Sequence, residues 1–341
     1  MLITMSTHKL AGYKMRAQSI GVTKCSRQQC NTVSGNAAQR YEFRSPLITP
    51  SLARHSARVI YDFGANNGDD VPYYLKKADI VIAVEANPLL VAQIRERFSK
   101  ELNAGRLIVE NCALTTEPRS SGVTFYLHKS NHVRSQFPRP ADSVLDDYEE
   151  IVVPSENVVD LIKTYGEPFY IKIDVEHYDQ NILEHLFLHD IRPPFISAES
   201  HSIEVFSLFV ALGKYKSFNL VDGETVATKY RNHIIKTDDR EEIYSFPHHS
   251  AGPFGTDIHG PWMTANNFFR LLAFEQLGWK DVHATTMIEA DPACAPQLGE
   301  YFRKAIKSTI AFALRKSIQA PMHLFEEKSA RIVRWLRSWH K

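Results

Sequence analysis

Three stretches of this 341-residue chain carry residue types that can do chemistry at spacings that would bring them together. The first is Val59-Ile60-Tyr61-Asp62-Phe63-Gly64-Ala65-Asn66-Asn67-Gly68. An apolar run ends in an acid, and a Gly-x-x-x-Gly turn leads into a helix start. An open α/β sheet builds a nucleotide-cofactor site in this way, at the carboxyl end of its first strand. Gly64 permits a sharp turn and close approach of a ligand, and Gly68 permits close packing where the helix begins. The second is Glu85, which closes a short apolar run 23 positions after Asp62. An acid at that point can accept both hydrogen bonds of a ribose diol. The third pairs Lys172-Ile173-Asp174-Val175-Glu176-His177 with Ala198-Glu199-Ser200-His201. Acids and histidines leave the ends of two apolar runs, where such sheets place their sites. Asp174, Glu176, Glu199 and His201 could hold a divalent cation such as magnesium through oxygen and imidazole. Alternatively, Asp174 with Glu199 or His201 could supply a general base near neutral pH. The plain alternative is that these are solvated residues tying loops together. Lys172 interrupts an apolar run, so it either reaches an edge or pairs with an acid.

The glycine spacing bears on the cofactor. A nicotinamide enzyme would show Gly-x-Gly-x-x-Gly at this turn. Here Asn66 and Asn67 lie inside Gly-x-x-x-Gly, and no third glycine is present to cradle a pyrophosphate. S-adenosylmethionine has no pyrophosphate, so the spacing favours it and disfavours a nicotinamide-dependent oxidoreductase. Downstream, Glu110-Asn111-Cys112-Ala113-Leu114 ends another apolar run. Asn111 or a neighbouring backbone group could bond an adenine edge, with Cys112 or Ala113 packing on its face.

These residues need elements to position them. Strands are expected over 58–62, 80–85, 106–114, 169–174, 195–199 and 217–221, with an extra strand or hairpin at 123–127 and a further strand at 242–246. Helices are expected over 70–77, 89–103, 158–165, 180–189, 203–212 and 266–277. Gly166 and Gly213 would close two of them. Strands separated by helices of this length make an α/β fold, a mostly parallel sheet with right-handed crossovers and helices on both faces. Residues 247–263, rich in His, Gly and Pro, read as a loop. The apolar positions Phe302, Ile306, Ile310, Ile332, Trp335, Leu336 and Trp339 mark basic amphipathic helices over 297–317 and 323–340. The expected organisation is a basic tail over 1–45, a cofactor-binding domain over 46–250, and a loop with a basic helical extension over 251–341.

Charge is unevenly spread. Residues 1–41 hold six basic residues and no acid, and 299–341 hold ten basic and three acidic residues. Between them lie 24 basic and 36 acidic residues, a net of −12. So acidic a body argues against binding a phosphate backbone, and no nucleic-acid partner is expected. The basic C-terminal helices, with Trp335 and Trp339, suit peripheral contact with an anionic membrane. No run approaches the ~18 apolar residues of a membrane span. Cys25, Cys30, Cys112 and Cys294 form no zinc pattern, and a reducing, cytoplasmic setting is expected.

Taken in order, Asp62-Phe63-Gly64-Ala65-Asn66-Asn67-Gly68, Glu85-Ala86-Asn87-Pro88, Asn111-Cys112-Ala113-Leu114 and Ile171-Lys172-Ile173-Asp174-Val175-Glu176 resemble the FkbM family of S-adenosylmethionine-dependent methyltransferases. The resemblance covers roughly residues 57–225. It implies a Rossmann-like, seven-stranded methyltransferase sheet and methylation of a hydroxyl on a sugar, glycan or natural product. By position it implies that Asp62 and Gly64 form the methionine-side loop, that Glu85 holds the ribose, and that Asp174 lies beside the methyl group. One departure stands out. The family often has a glycine after Asp-Val-Glu, and this chain has His177. The alternative from another class is a binding protein that keeps the fold without catalysis.

Overall fold

The computed structural model describes residues 57–117, 122–237, 239–275 and 277–294. The tail over 1–45, Cys25, Cys30 and the two basic helices with their apolar positions lie outside these residues. In chain order the elements are β1 (Val59–Phe63), α1 (Val71–Lys77), β2 (Ile80–Val84), α2 (Pro88–Arg97), α3 (Ser99–Asn103), β3 (Leu107–Glu110), β4 (Ala113–Thr115), β5 (Val123–His128), β6 (Tyr148–Val153), β7 (Ser155–Asn157), α4 (Val158–Tyr165), β8 (Pro168–Ile173), α5 (Asp179–Leu188), β9 (Phe195–Ser200), α6 (Ile203–Ala211), β10 (Ser217–Asp222), α7 (Val226–Lys229), β11 (His233–Lys236), β12 (Glu241–Tyr244), β13 (Met263–Thr264), α8 (Ala265–Glu275) and β14 (Gly278–Thr285).

The central sheet has the order β13-β10-β14-β9-β8-β1-β2-β3. Strands β3, β2, β1, β8 and β9 run parallel, and β14 inserts antiparallel between β9 and β10. The sheet therefore has eight strands where seven were expected, because the two-residue β13 adds an edge. The expected strand at 242–246 is β12, which pairs only with β11 in a separate hairpin. The strand that completes the sheet is β14, which was not foreseen. Its place between β9 and β10 carries the sheet to Thr285, beyond the domain boundary expected at residue 250. The expected strand over 106–114 splits at Asn111-Cys112. Its second half, β4, leaves the sheet and pairs with β7. The expected helix over 89–103 is broken at Phe98, whose ψ of 32° ends α2 and starts α3.

Every residue of β1 is buried, as expected of a strand covered on both faces. Alternation along the strands then divides the core in two. On one face Tyr61, Phe63, Ile82, Ile171 and Ile173 pack with residues of α4, α5, α6 and α8. On the other, Ile60, Val81, Ala83 and Tyr170 pack with α1 and α2. Phe254, from the expected loop, stacks on Tyr170 with ring centroids 4.0 Å apart. That loop is tied to α1. Asp257 accepts hydrogen bonds from Tyr73 Oη and Lys77 Nζ, each at 2.9 Å. Asp70 accepts from Ser250 Oγ, and from Ala251 N at 3.1 Å. Among the described residues no helix is long and apolar enough to cross a membrane.

Candidate active site

The carboxyl ends of β1, β8 and β9 meet over one cavity. Its floor is set by the turn after β1. Gly64 has φ of +80°, and a side chain there would place its Cβ 1.7 Å from the Asp174 carbonyl oxygen. Only glycine allows β1 and β8 to approach so closely. Beneath the turn, Asp62 and Lys172 are register partners on neighbouring strands. They are 0% and 3% exposed. Lys172 Nζ donates to the Gly64 carbonyl at 2.8 Å and lies 3.4 Å from Asp62 and 3.3 Å from Asp174. Of the two readings of Lys172, pairing with acids is the one observed. Burial opposes its charge, but Asp174, Asp62, Asp70 and Asp281 outweigh it and hold its pKa well above the ordinary lysine value. Burial pushes the Asp62 carboxyl up, and Lys172 pulls it back.

Glu85 lies on the cavity wall. Its carboxylate accepts 2.8 Å hydrogen bonds from the backbone N–H groups of Asn66 and Asn87. Asn66 reaches this position in the left-handed region, with φ of 50°. Burial pushes the Glu85 pKa up to about 7, against these two donors. The carboxylate is thus fixed in direction, and each oxygen has acceptor capacity left for a diol. Asn111 is committed elsewhere. Its Nδ2 donates to the carbonyls of Glu85 and Ala86, at 3.0 and 3.1 Å, and so braces the end of β2. Gly68 faces away from the cavity, where its absent side chain leaves room for Phe98 and Ile94. Cys112 and Ala113 do line the cavity, with Leu90 and Leu114, in an apolar wall suited to a flat base. Burial pushes the Cys112 thiol up to about 12, so it packs rather than reacts. The cavity measures about 370 Å³, within the usual range for small-molecule sites.

These residues fit S-adenosylmethionine. An oriented acid faces the cavity where a ribose would bond, an apolar wall stands beside it, and Gly64 lines the same space.

Asp174, Glu176 and Glu199 bring their carboxylates together, with ligand atoms within 4.8 Å of one another, which could hold a divalent cation. His201 is not part of that set. Its Nε2 lies 2.9 Å from Glu199 and 3.9 Å from Glu176. Burial opposes the imidazolium, but Glu199, Asp179 and Glu176 push its pKa up to about 9. At neutral pH His201 is therefore a cation paired with Glu199 and not a proton acceptor. Burial, with Asp174 and Glu199 nearby, raises Glu176 to about 8. Glu176 and His177 both have positive φ, of 44° and 65°. The chain keeps at His177 the left-handed backbone that a glycine would adopt freely.

Four residues escaped the sequence reading. Asp281 on β14, opposite Glu199, is a buried acid whose pKa burial raises well above the ordinary value. Trp279 and His249 line the cavity beside Glu199. Asp70 holds the loop carrying His249 through Ser250 and Ala251. Only Asp70 had a local signal, as the acid just before a helix.

Residues 62–216 match the family model of the methyltransferase FkbM domain. Among solved structures, the chain resembles a methyltransferase FkbM from Methylobacillus flagellatus KT, with 15% identity over 53% of this chain and 43% of that one, at a TM-score of 0.33. It resembles a precorrin-6y C5,15-methyltransferase from Geobacter metallireducens GS-15, with 12% identity over 67% and 79% of the two chains, at a TM-score of 0.28. It also resembles an S-adenosylmethionine-dependent O-methyltransferase from Thermotoga maritima, with 8% identity over 69% and 61%, at a TM-score of 0.30. The chain spans less than half of the Methylobacillus structure. No curated protein matches it.

Proposed function

Since this chain carries a methyltransferase FkbM domain over residues 62–216, we propose that it moves a methyl group from S-adenosylmethionine to a hydroxyl oxygen of a sugar, glycan or natural product. The observation that carries this reading is a single cavity lined by Gly64, Glu85, Cys112, Ala113, Asp174 and Glu199. An oriented diol acceptor and a cluster of acids face the same space. Bound S-adenosylmethionine supplies a methyl group already activated as a sulfonium substituent.

The protein's own work is then alignment and proton management. Glu85, held by two backbone donors, orients the ribose. The apolar wall at Cys112 and Ala113 excludes water from the base. Lys172, locked between Asp62 and Asp174, fixes the Asp174 carboxyl at the cavity floor. A hydroxyl is a weak nucleophile until its proton has an acceptor. In this reading Asp174 takes that proton and Glu199 orients the hydroxyl, with His201 drawing down a Glu199 pKa that burial raises to about 7. A divalent cation on Asp174, Glu176 and Glu199 is the variant of this mechanism that needs a metal.

Isothermal titration with S-adenosylhomocysteine tests the cofactor. Wild-type protein should bind it, and Glu85→Ala should weaken binding by roughly tenfold or more, as expected for a lost charged hydrogen-bonding partner. No binding, or equal binding by both proteins, overturns the proposal. Loss of methyl transfer on adding EDTA, with restoration by magnesium, would select the metal-dependent version.

A further inference from the structure

The cavity extends past Asp174 and Glu199 to a wall formed by Trp279 and His249. Both residues are held in place. The pairing of β14 with β9 shifts register between Gly278 and Asp281, so Trp279 lies in a bulge beside Glu199. Bulges re-aim side chains in this way next to sites. The indole rests on the backbone of Gly223, where a Cβ would come within 2.4 Å of its Cε2 and Nε1. One face of the ring thus has a bed only glycine can supply. His249 lies nearly parallel to the indole, at 26° and 6.1 Å between centroids. His248 adds a second ring at 5.8 Å. The next two residues, Ser250 and Ala251, bond Asp70, so the loop holds His249 from α1. A supported aromatic wall opposite the cofactor end is a place for the second reactant.

The charges around it narrow what that reactant can be. Asp62, Asp70, Asp174 and Asp281 gather around Lys172, and His201 is taken up by Glu199. The cavity itself is lined by Glu85, Asp174, Glu176 and Glu199 and, among the described residues, by no lysine or arginine, so it offers acceptors to hydroxyl groups and no cationic partner to an anion.

Building on the methyltransferase reading, we propose that Trp279 and His249 form the acceptor platform of the cavity, and that the acceptor is an uncharged, hydroxyl-bearing ring. The ring stacks at the Trp279–His249 wall and presents its hydroxyl to Asp174 and Glu199. Both a saccharide and a phenol share that chemistry.

The test measures labelled methyl transfer from S-adenosylmethionine to methyl hexopyranosides, to catechol, and to the matching uronic acids and hydroxybenzoates. S-adenosylhomocysteine titration and thermal melting are run on the same proteins. At least one neutral ring should accept label, and its anionic counterpart at least tenfold less. Trp279→Ala should raise the acceptor KM at least tenfold and leave the S-adenosylhomocysteine Kd within twofold, while Trp279→Phe should restore most of the loss. Glycosides accepting label assign a saccharide, and catechol a phenol. The platform is overturned by equal transfer to anionic rings, by an unchanged acceptor KM in Trp279→Ala, or by equal losses of cofactor and acceptor affinity. It is also overturned if the wild type binds S-adenosylhomocysteine and labels none of these rings. A wild type that does not bind S-adenosylhomocysteine overturns the underlying methyltransferase reading as well.

Discussion

Lys172→Met should expose how far the site depends on one buried cation. The lysine is 3% exposed and sits between Asp62, which is fully buried, and Asp174. Methionine fills similar space but leaves Asp62 without its counter-charge and the Gly64 carbonyl without its donor. Removing one partner of a buried ion pair costs about 3–5 kcal/mol, because the other charge stays buried. Asp174 is a smaller part of this, since its side chain is 32% exposed and solvent screens it. In a domain of this size, about 2–4 °C of Tm is lost per kcal/mol, so a drop of roughly 10 °C is expected. The pH dependence carries the stronger check. Burial already raises the Asp62 pKa, and loss of Lys172 raises it further. A carboxyl raised in the folded state adds stability below its unfolded pKa and loses it as pH rises through the folded one. The deficit of the variant should therefore be largest at about pH 8 and shrink toward about pH 5. Urea unfolding followed by circular dichroism at both pH values measures it. Adding Asp62→Asn should recover part of the loss. A deficit below about 1 kcal/mol at the higher pH, the level of an exposed pair, would refute the buried-charge argument. So would a deficit of equal size at both pH values.

Gly64→Ala sets a Cβ against the Asp174 carbonyl at a positive φ. It should cost more than the ~1–2 kcal/mol of a left-handed alanine alone and should abolish S-adenosylhomocysteine binding, read by thermal melting and titration. His177→Gly releases a left-handed residue at φ of 65°. It should stabilise the fold by about 1 kcal/mol in urea unfolding, with no gain if the backbone there is unstrained. His283 is buried, and burial lowers its pKa to about 3. Its neutral form is the native one, so stability should fall as pH drops below about 6.5. His283→Leu should flatten that acid limb by about 2 kcal/mol between about pH 7 and about pH 4.5, measured by urea titrations at each pH.

Asp62, Gly64, Glu85 and Asp174 were legible because each ends a strand of a parallel sheet, and such strands announce themselves as continuous apolar runs. The same rule misled at 242–246, where Ile243 and Tyr244 belong to a hairpin outside the main sheet. It also missed the break at Asn111, because a side chain that braces β2 looks in sequence like any other polar residue at a strand end. The strand β14 was invisible for a reason tied to function. Val282 and Ala284 face the apolar core, but Asp281 and His283 point to the other side of the sheet. That side carries Asp62, Lys172, Ser197 and Glu199 on the neighbouring strands. A polar belt thus crosses the middle of a buried sheet face, and each strand crossing it gives up apolar positions. Where only one residue is surrendered, as at Lys172 in β8, the strand remains readable. In β14 two acceptable core positions remain among Lys280, Asp281 and His283, and the pattern disappears. Local rules fail where a site takes residues away from packing. The strand that gives the polar belt two of its residues is accordingly the hardest to read, and it is the one that presents Trp279 to the cavity.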